Sequence, residues 1–374
     1  MARHLSNLKV DTFRGIKDLE VMDLGDINIL VGTNNCGKTS LLEAIMLLSR
    51  PDDLTSMVSI ARLREVNRNF LFMSNSSSFF DSFLYLFNRL NDELLISVSA
   101  SINNMDVTFK IKGRIEKVLI DINEEMKNNS MISRRLKEGS ISEGEEIESF
   151  VGEIQYNNLD QLSSEPSHIP ISFHKYERIM RMNRKTPFLK MTFVSTIDHI
   201  VKNTFRAVIK NRKLKDEVVE VLNLFDSNIT DLRIIENDEG RVSQMIDNSL
   251  LDYMPLSTYG DGIKKVIALA NGIAEAKNGI LLVDEIETSI HASALDKVFL
   301  WLIDACKEFN VQLFLTTHSL ETVDSLLNSA SSFENDDLIR VITLVKKDHQ
   351  TVARVLPGKK AQQVREDYDM ELRL

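Results

Sequence analysis

The residues from Gly32 to Ser40 carry the most specific chemistry in the sequence. Four residues separate Gly32 from Gly37, and Lys38-Thr39 follow at once, which is the P-loop spacing. The glycines let backbone amides turn towards phosphate oxygens. Lys38 would neutralise the β- and γ-phosphates, and the Thr39 hydroxyl would bind Mg²⁺. The predicted nucleotide-binding residues of this loop are Gly32, Asn34, Asn35, Cys36, Gly37, Lys38, Thr39 and Ser40.

Acids and a histidine follow two later apolar runs. Asp284-Glu285 comes directly after Ile280–Val283, which is a Walker B pattern for ATP and Mg²⁺. Asp284 would hold the metal, and Glu285 would orient or deprotonate the attacking water. The run that begins at Val311 ends at His318, which could contact the γ-phosphate. These residues predict an ATP-hydrolysing site.

A third candidate segment precedes a periodic apolar helix from Val266 to Ala276. This segment runs from Leu256 to Lys265 and contains Ser257, Gly260 and Gly262. Serine and glycine just before a helix present free amides to an anion. We therefore expect these three residues to contact phosphate as well.

Strands and helices must position these residues. We expect strands at 5–13, 19–24 and 27–31, and a helix after Lys38 that ends at Pro51. The following part of the chain predicts helices within 54–90, strands within 94–122, and strands at 153–157 and 169–173. A helix from 196 to 225 and a hairpin around 230–246 come next. After residue 318 we expect one helix, one or two strands and a polar tail.

Composition limits the function classes. The chain has 374 residues, a net charge of −10 and two distant cysteines, Cys36 and Cys306. Two distant cysteines suit a reducing cytoplasm and form no metal motif. No apolar run reaches the length of a membrane span, and the first residues lack the apolar segment of a secretory signal. An acidic chain could bind nucleic acid only through a local basic patch.

One basic stretch lies between residues 178 and 215. Its cationic residues are Arg178, Arg181, Arg184, Lys185, Lys202, Arg206, Lys210, Arg212, Lys213 and Lys215. One interpretation is the solvated face of a helix. The alternative is a patch that contacts DNA or RNA phosphates without reading sequence. The acidic residues 138–148 are interpreted as a solvated loop.

Together these motifs resemble an ABC/SMC-type ATPase head, and most closely the OLD-like (overcoming lysogenisation defect) ATPases of bacterial anti-phage abortive-infection systems. The resemblance rests on Phe13-Arg14-Gly15, Gly32 to Ser40, Gly260-Asp261-Gly262, Asp284-Glu285 and Thr316 to Ser319. It implies an α/β fold with a P-loop sheet core, N-terminal antiparallel strands and a largely helical insertion. The core would comprise 1–50 and 250–374, and residues 51–250 would form an insertion of strands and helices that belongs to the same head.

The resemblance also implies a homodimer. ATP would lie between the P-loop of one subunit and the segment Ser257–Gly262 of the other, and Arg14 would belong to the nucleotide-binding residues. The segment Ser257 to Gly262 differs from the Leu-Ser-Gly-Gly-Gln signature of transporters, and His291 stands where transporters carry aspartate. Gln155 and Gln161 are the candidates for the Q-loop glutamine.

The resemblance places the chain in a two-component system. Residues after His318 are too few for the TOPRIM nuclease domain of full OLD nucleases, so we expect a separate effector protein, a nuclease or toxin. The chain would then be the sensor or regulatory subunit of an anti-phage defence system. Two alternatives stay open: a DNA-associated repair or restriction ATPase subunit, and a nucleotide-gated scaffold that does not hydrolyse ATP.

The sequence predicts that the purified chain hydrolyses ATP but cuts neither DNA nor RNA. Metal-dependent cleavage needs carboxylates clustered at the scissile phosphate, and the strongest acidic pair, Asp284-Glu285, is already assigned to ATP. The assay is incubation with plasmid, single strands and tRNA, with Mg²⁺ or Mn²⁺ and ATP. Cleavage that co-purifies with the protein and survives Lys38→Ala would contradict the two-component hypothesis.

Overall fold

The structure is a computed structural model of the chain. It describes residues 3–63, 79–88, 93–119, 146–157, 166–175, 187–201, 204–236, 242–331, 333, 338–347, 350–368 and 371–373. Within these ranges, no helix combines the length and apolarity that a membrane span requires.

The described part of the chain alternates strands and helices. The strands are β1 (Leu5–Phe13), β2 (Ile16–Val21), β3 (Ile27–Val31), β4 (Leu94–Ile102), β5 (Met105–Leu119), β6 (Glu146–Tyr156), β7 (Ser167–His174), β8 (Met191–Val194), β9 (Ile229–Glu236), β10 (Val242–Asn248), β11 (Asp252–Pro255), β12 (Ile280–Val283), β13 (Gln312–Thr316), β14 (Ile339–Lys347) and β15 (Gln350–Pro357). The helices are α1 (Lys38–Leu47), α2 (Leu54–Arg62), α3 (Phe79–Leu84), α4 (Asp198–Val201), α5 (Arg212–Leu222), α6 (Asp261–Glu275), α7 (Leu295–Glu308), α8 (Leu320–Ser331) and α9 (Gly358–Tyr368).

The chain forms two compact units. The first contains Met1–Asn7, Val21–Leu42 and Leu189–Leu374, and the second contains Leu8–Glu20 and Glu43–Phe188. These divisions differ from the expected boundaries at residues 50 and 250. Residues 189–250 lie in the first unit because β8 pairs with β12 and α5 packs its apolar face into the same core.

The first unit is built on a six-stranded sheet with the order β15-β14-β3-β13-β12-β8. β14, β3, β13, β12 and β8 run parallel, and β15 pairs antiparallel at one edge. Every residue of β3, β12 and β13 is buried, as is typical of central strands in a parallel sheet. This confirms the predicted α/β class with a P-loop sheet core.

The second unit contains most of a six-stranded sheet with the order β2-β1-β4-β5-β6-β7. Strands β4 to β7 form antiparallel neighbours. Their inward aromatic residues pack on α3, where the rings of Phe83 and Phe150 lie 5.1 Å apart. The described part of 51–250 is therefore dominated by strands, and the expectation of a largely helical insertion is wrong there. Buried and exposed residues alternate along β4 and β5, which is a strand pattern.

The predicted single helix from 196 to 225 is also wrong. The segment forms α4, a short 3-10 turn at Val208–Lys210, and α5. Asn211 has an extended backbone with φ of −122°, and its side chain accepts a hydrogen bond from Leu214 N. An asparagine that caps a helix in this way marks the start of a new helix. The predicted helix is therefore interrupted at Asn211.

Other expected elements are present with shifted bounds. The second strand covers Ile16–Val21 and not 19–24. Strands β9 and β10 pair antiparallel as the predicted hairpin, whose turn at 238–240 lies outside the described residues. The described part of the acidic segment, residues 146–148, belongs to β6. The helix α9, which the sequence did not indicate, occupies part of the polar C-terminal segment.

The turn from β3 to α1 depends on one glycine. Gly32 has φ of +142°, where an L side chain is strained. A Cβ at this position would lie 2.4 Å from Leu344 O in β14 and 2.8 Å from Cys36 Sγ. The close approach of the loop to β14 therefore requires the absence of a side chain at this residue.

We predict that Gly32→Ala destabilises the fold by about 1–3 kcal/mol, because it adds backbone strain and a contact with a carbonyl oxygen that cannot retreat. Gly15→Ala is the matched control, since nothing lies within 4 Å of the Cβ position at Gly15. Urea unfolding of the two variants and the wild type measures the effect. Equal stability of Gly32→Ala and wild type would contradict the close approach.

Candidate nucleotide site

Three strand ends form the site. β3, β13 and β12 are neighbours in the parallel sheet, so their carboxyl ends lie at one edge. The P-loop follows β3, Asp284 follows β12, and Thr317-His318 follow β13. Ligands bind outside this edge in open α/β sheets. The sheet order therefore brings together motifs that are more than 240 residues apart in the chain, as in the hydrogen bond between Thr39 and Asp284.

The P-loop backbone turns sharply before α1. Asn35 has φ of 64° and Gly37 has φ of 108°. The side chains of Asn34 and Asn35 are exposed, Cys36 is buried, and Ser40 is half-buried. The loop ends where α1 begins at Lys38, so the positive end of the helix lies at the loop.

Lys38 is buried within the loop that it closes. Its Nζ donates to Gly32 O at 2.8 Å and Thr33 O at 3.1 Å, and lies 3.3 Å from His318 Nδ1. Burial lowers the pKa of the Lys38 ammonium, although Cys36 and the acids at the end of β12 act in the opposite direction. An ammonium in this position is available to an anionic ligand, because the two oxygens that accept from it are backbone carbonyls.

Asp284 accepts two hydroxyl hydrogen bonds. Thr39 Oγ1 lies 3.0 Å from Asp284 Oδ1 and 3.2 Å from Oδ2, and Thr316 Oγ1 donates to Oδ1 at 2.7 Å. The hydroxyl of the P-loop and the carboxylate after β12 thus converge on one point. Both are hard oxygen ligands of the kind that Mg²⁺ prefers.

The donor set fits Mg²⁺ better than a metal held by protein alone. Among the residues that the structure describes, no three His, Cys, Asp or Glu side chains cluster to hold an ion. Mg²⁺ is usually bound by one or two protein oxygens together with phosphates and water. Thr39 and Asp284 supply that number.

Glu285 and His318 lie beside each other at the site. His318 Nε2 is 3.5 Å from Glu285 Oε1, with the side chains 38% and 43% exposed. Glu285 has φ of 46°, and its N donates to Thr316 Oγ1 at 2.8 Å. Both side chains can therefore reach a ligand and solvent while the Glu285 backbone is fixed.

Four residues around these groups were not predicted as site residues. Glu287 Oε1 accepts from His318 N at 2.9 Å, and Arg373 Nη1 donates to His318 O at 2.8 Å. Thr316 binds Asp284 and Glu285 as described. Lys265 Nζ donates to Glu285 O at 3.3 Å, and burial lowers the pKa of Lys265 to about 8.

The segment before α6 lies apart from these hydrogen bonds. Ser257 and Gly260 are exposed, and nothing lies within 4 Å of the Cβ position at Gly260. Gly262 is enclosed, because a Cβ there would lie 3.0 Å from the Phe225 ring. Gly260 is the N-cap residue of α6 and makes no side-chain cap, so the helix presents backbone amides at the surface.

Two further expected residues have partners in the second unit. Arg14 has φ of 51°, and its Nε lies 2.9 Å from a carboxylate oxygen of the buried Glu43. Gln155 lies in β6 and donates to Glu153. Gln161 lies outside the described residues. The contacts described for Arg14 and Gln155 are thus with protein groups.

Acidic side chains compensate the three cations of the basic stretch that lie on α5. Lys213 pairs with Glu308 and lies 3.7 Å from Glu217, Lys215 lies 2.7 Å from Asp231, and Arg212 lies 3.9 Å from Asp216. Residues 178–185 and Lys202 lie outside the described residues. In α5, these pairs favour the solvated face over a patch that contacts phosphates.

Comparisons with known proteins show the family to which the chain belongs. The family model described as "AAA domain, putative AbiEii toxin, Type IV TA system" matches residues 27–324, which is more than half of the chain. A protein of Helicobacter pylori named ATP/GTP phosphatase is 23% identical and covers 95% of this chain and 96% of its own length. The DNA replication and repair protein RecF of Saccharophagus degradans is 48% identical over 46 residues, 12% of either chain.

Among solved structures, an SMC head bound to the C-winged helix domain of ScpA superposes with a TM-score of 0.50 at 14% identity. The superposition covers 96% of this chain and 99% of that one. It confirms the expected SMC/ABC-type head fold. Because the family model spans the P-loop, the acids after β12 and His318, the chain belongs to the family "AAA domain, putative AbiEii toxin, Type IV TA system", and it is an ATPase.

Proposed function

We propose that this ATPase binds ATP with Mg²⁺ at the edge of β3, β12 and β13, and that ATP gates its assembly into a homodimer. The observation that carries the proposal is the convergence of Thr39 Oγ1 and the Asp284 carboxylate at 3.0 Å beside Lys38. A phosphate-binding loop, a cation and a pair of hard oxygen ligands then lie within one site. Few other ligands need this combination.

The loop and Lys38 would bind the phosphates. Amides of the loop from Gly32 to Ser40 would donate to the phosphate oxygens, and α1 begins at Lys38. Lys38 would exchange its neutral carbonyl partners, Gly32 O and Thr33 O, for phosphate oxygens. That exchange is favourable because a charged acceptor binds an ammonium more strongly than a carbonyl does.

Thr39 and Asp284 would hold Mg²⁺, which would neutralise phosphate charge during transfer. Thr316 keeps the Asp284 carboxylate turned towards Thr39 through its 2.7 Å hydrogen bond. Glu285 would orient the attacking water and accept its proton. His318 lies between Lys38 and Glu285, at 3.3 Å and 3.5 Å, and would contact the γ-phosphate.

The surface position of Ser257 and Gly260 supports the dimer. The amides at the start of α6 are exposed and lack a side-chain cap, so they suit an anion supplied from outside the chain. We propose that this anion is the nucleotide phosphate of a second copy. Each copy would then complete the site of the other, and ATP would control the association.

The biological assignment rests on the family and on the site. We propose that the chain is a sensor or regulatory subunit of an anti-phage defence system and acts with a separate effector protein. Membership in a family described as a putative toxin of a Type IV TA system supports a role in such systems. The compensated charges of α5 make a DNA-associated repair or restriction subunit the weaker alternative. An ATP-binding chain without turnover would instead support the scaffold alternative.

Lys38→Ala is expected to abolish ATP binding, because the phosphates lose the cation in the loop. Titration with a fluorescent ATP analogue measures the affinity, with circular dichroism as the check on folding. Lys277→Met, an exposed lysine after α6, is the control and should bind like wild type. Unchanged affinity of Lys38→Ala would refute the P-loop assignment.

Glu285→Gln is expected to bind ATP normally and to turn over at least about 100-fold more slowly, because it removes the carboxylate that accepts the proton of the water. The variant should accumulate an ATP-bound dimer, seen as a larger species by light scattering. Glu321→Gln, an exposed position on α8, is the matched control. Wild-type turnover in Glu285→Gln would mean that another group activates the water.

A further inference from the structure

Lys265 is a fully buried lysine in the first unit. Its side chain is 0% exposed on α6, and its Nζ donates to Glu285 O at 3.3 Å. Burying an ammonium is costly unless charges and hydrogen bonds compensate it. The neighbouring Lys264 differs, since its Nζ lies 3.3 Å from Asp261 at the start of the helix. The burial of Lys265 therefore needs a separate explanation.

The partner of Lys265 is a strained residue. Glu285 has φ of 46°, a region that residues other than glycine rarely occupy and that is kept only when the surroundings fix it. Glu285 N donates to Thr316 Oγ1 at 2.8 Å, and Glu285 O accepts from Thr288 N at 3.1 Å as well as from Lys265. Hydrogen bonds thus hold the peptide groups on both sides of this residue.

Burial lowers the pKa of Lys265 to about 8, and nearby acidic side chains oppose this effect. The charges of Glu287, Asp198 and Asp284 act on it in the direction opposite to burial. A charged donor makes the stronger hydrogen bond to a carbonyl oxygen. Lys265 therefore holds Glu285 O through a hydrogen bond from its ammonium group, in addition to the packing of its aliphatic side chain.

We propose that Lys265 is a positioning residue for hydrolysis, which holds the left-handed backbone of Glu285 and thereby aims its carboxylate at the attacking water. The inference rests on the proposed function, because it needs Glu285 to act on water. It also gives α6 a second role. The helix that presents Gly260 and Gly262 at its start fixes the hydrolytic residue of the same chain through Lys265.

Lys265→Met tests the proposal, because methionine keeps an unbranched stem and loses the charged donor. We expect kcat to fall about 10- to 100-fold, as a small misplacement of a catalytic group can cause, with the Kd for ATP within about twofold of wild type. Lys265→Arg, which keeps charge and donors, should recover part of kcat. Should Lys265→Met fail to fold, Lys265→Gln replaces it with the same expected split between kcat and Kd.

A double variant separates positioning from general destabilisation. In the Glu285→Gln background, adding Lys265→Met should cause no further loss of turnover, because the carboxylate that Lys265 aims is already gone. The inference would be overturned if the double variant lost turnover by the product of the two single effects. It would also be overturned if Lys265→Met left kcat unchanged. If Lys38→Ala and Glu285→Gln abolish turnover while Lys265→Met does not, the inference fails and the proposed function stands. If Lys38→Ala binds ATP like the wild type, the proposed function is wrong, and the inference that rests on it is wrong as well.

Discussion

The candidate site depends most on the hydroxyl group of Thr316. It donates to Asp284 Oδ1 at 2.7 Å and accepts from Glu285 N at 2.8 Å, and the residue is 1% exposed. One buried group at the end of β13 therefore orients both acids at the end of β12. Because Thr316 is buried and both hydrogen bonds are partly buried, losing the hydroxyl would remove one partner from the Asp284 carboxylate and the side-chain partner of Glu285 N, which costs more than a missing surface hydrogen bond.

The parts of the site that could be predicted from sequence are those with local signatures. The P-loop spacing, the acids after an apolar run and the histidine after another are each readable within about ten residues. Their convergence follows once the strands are parallel, because parallel strands end at one edge. The core strands β3, β12 and β13 are mostly apolar, so their positions were predictable, whereas the burial of the polar Asn28 and Gln312 within them was not.

The remaining contacts join distant residues without a local pattern. Nothing near Arg373 in the sequence indicates that its guanidinium donates to His318 O. Likewise, no local pattern indicates that Glu287 accepts a hydrogen bond from His318 N. Lys265 did have a signal. It lies four residues before Leu269 and eight before Ile273, on the buried stripe of α6, where a lysine is unusual. The strands of the second unit were predicted at 94–122, 153–157 and 169–173, because their buried and exposed residues alternate.

The contact of Gly32 with β14 bears on how this protein can be dissected. The family match ends at residue 324, but β14 pairs with β3 along the P-loop strand, and Leu344 O limits the space at Gly32. Arg373, further along the chain, contacts the backbone of His318. A fragment trimmed to the matched span would retain every recognisable motif and yet lose a strand that flanks the phosphate loop. Such a fragment would therefore lack part of the sheet and one of the side chains that hold the site.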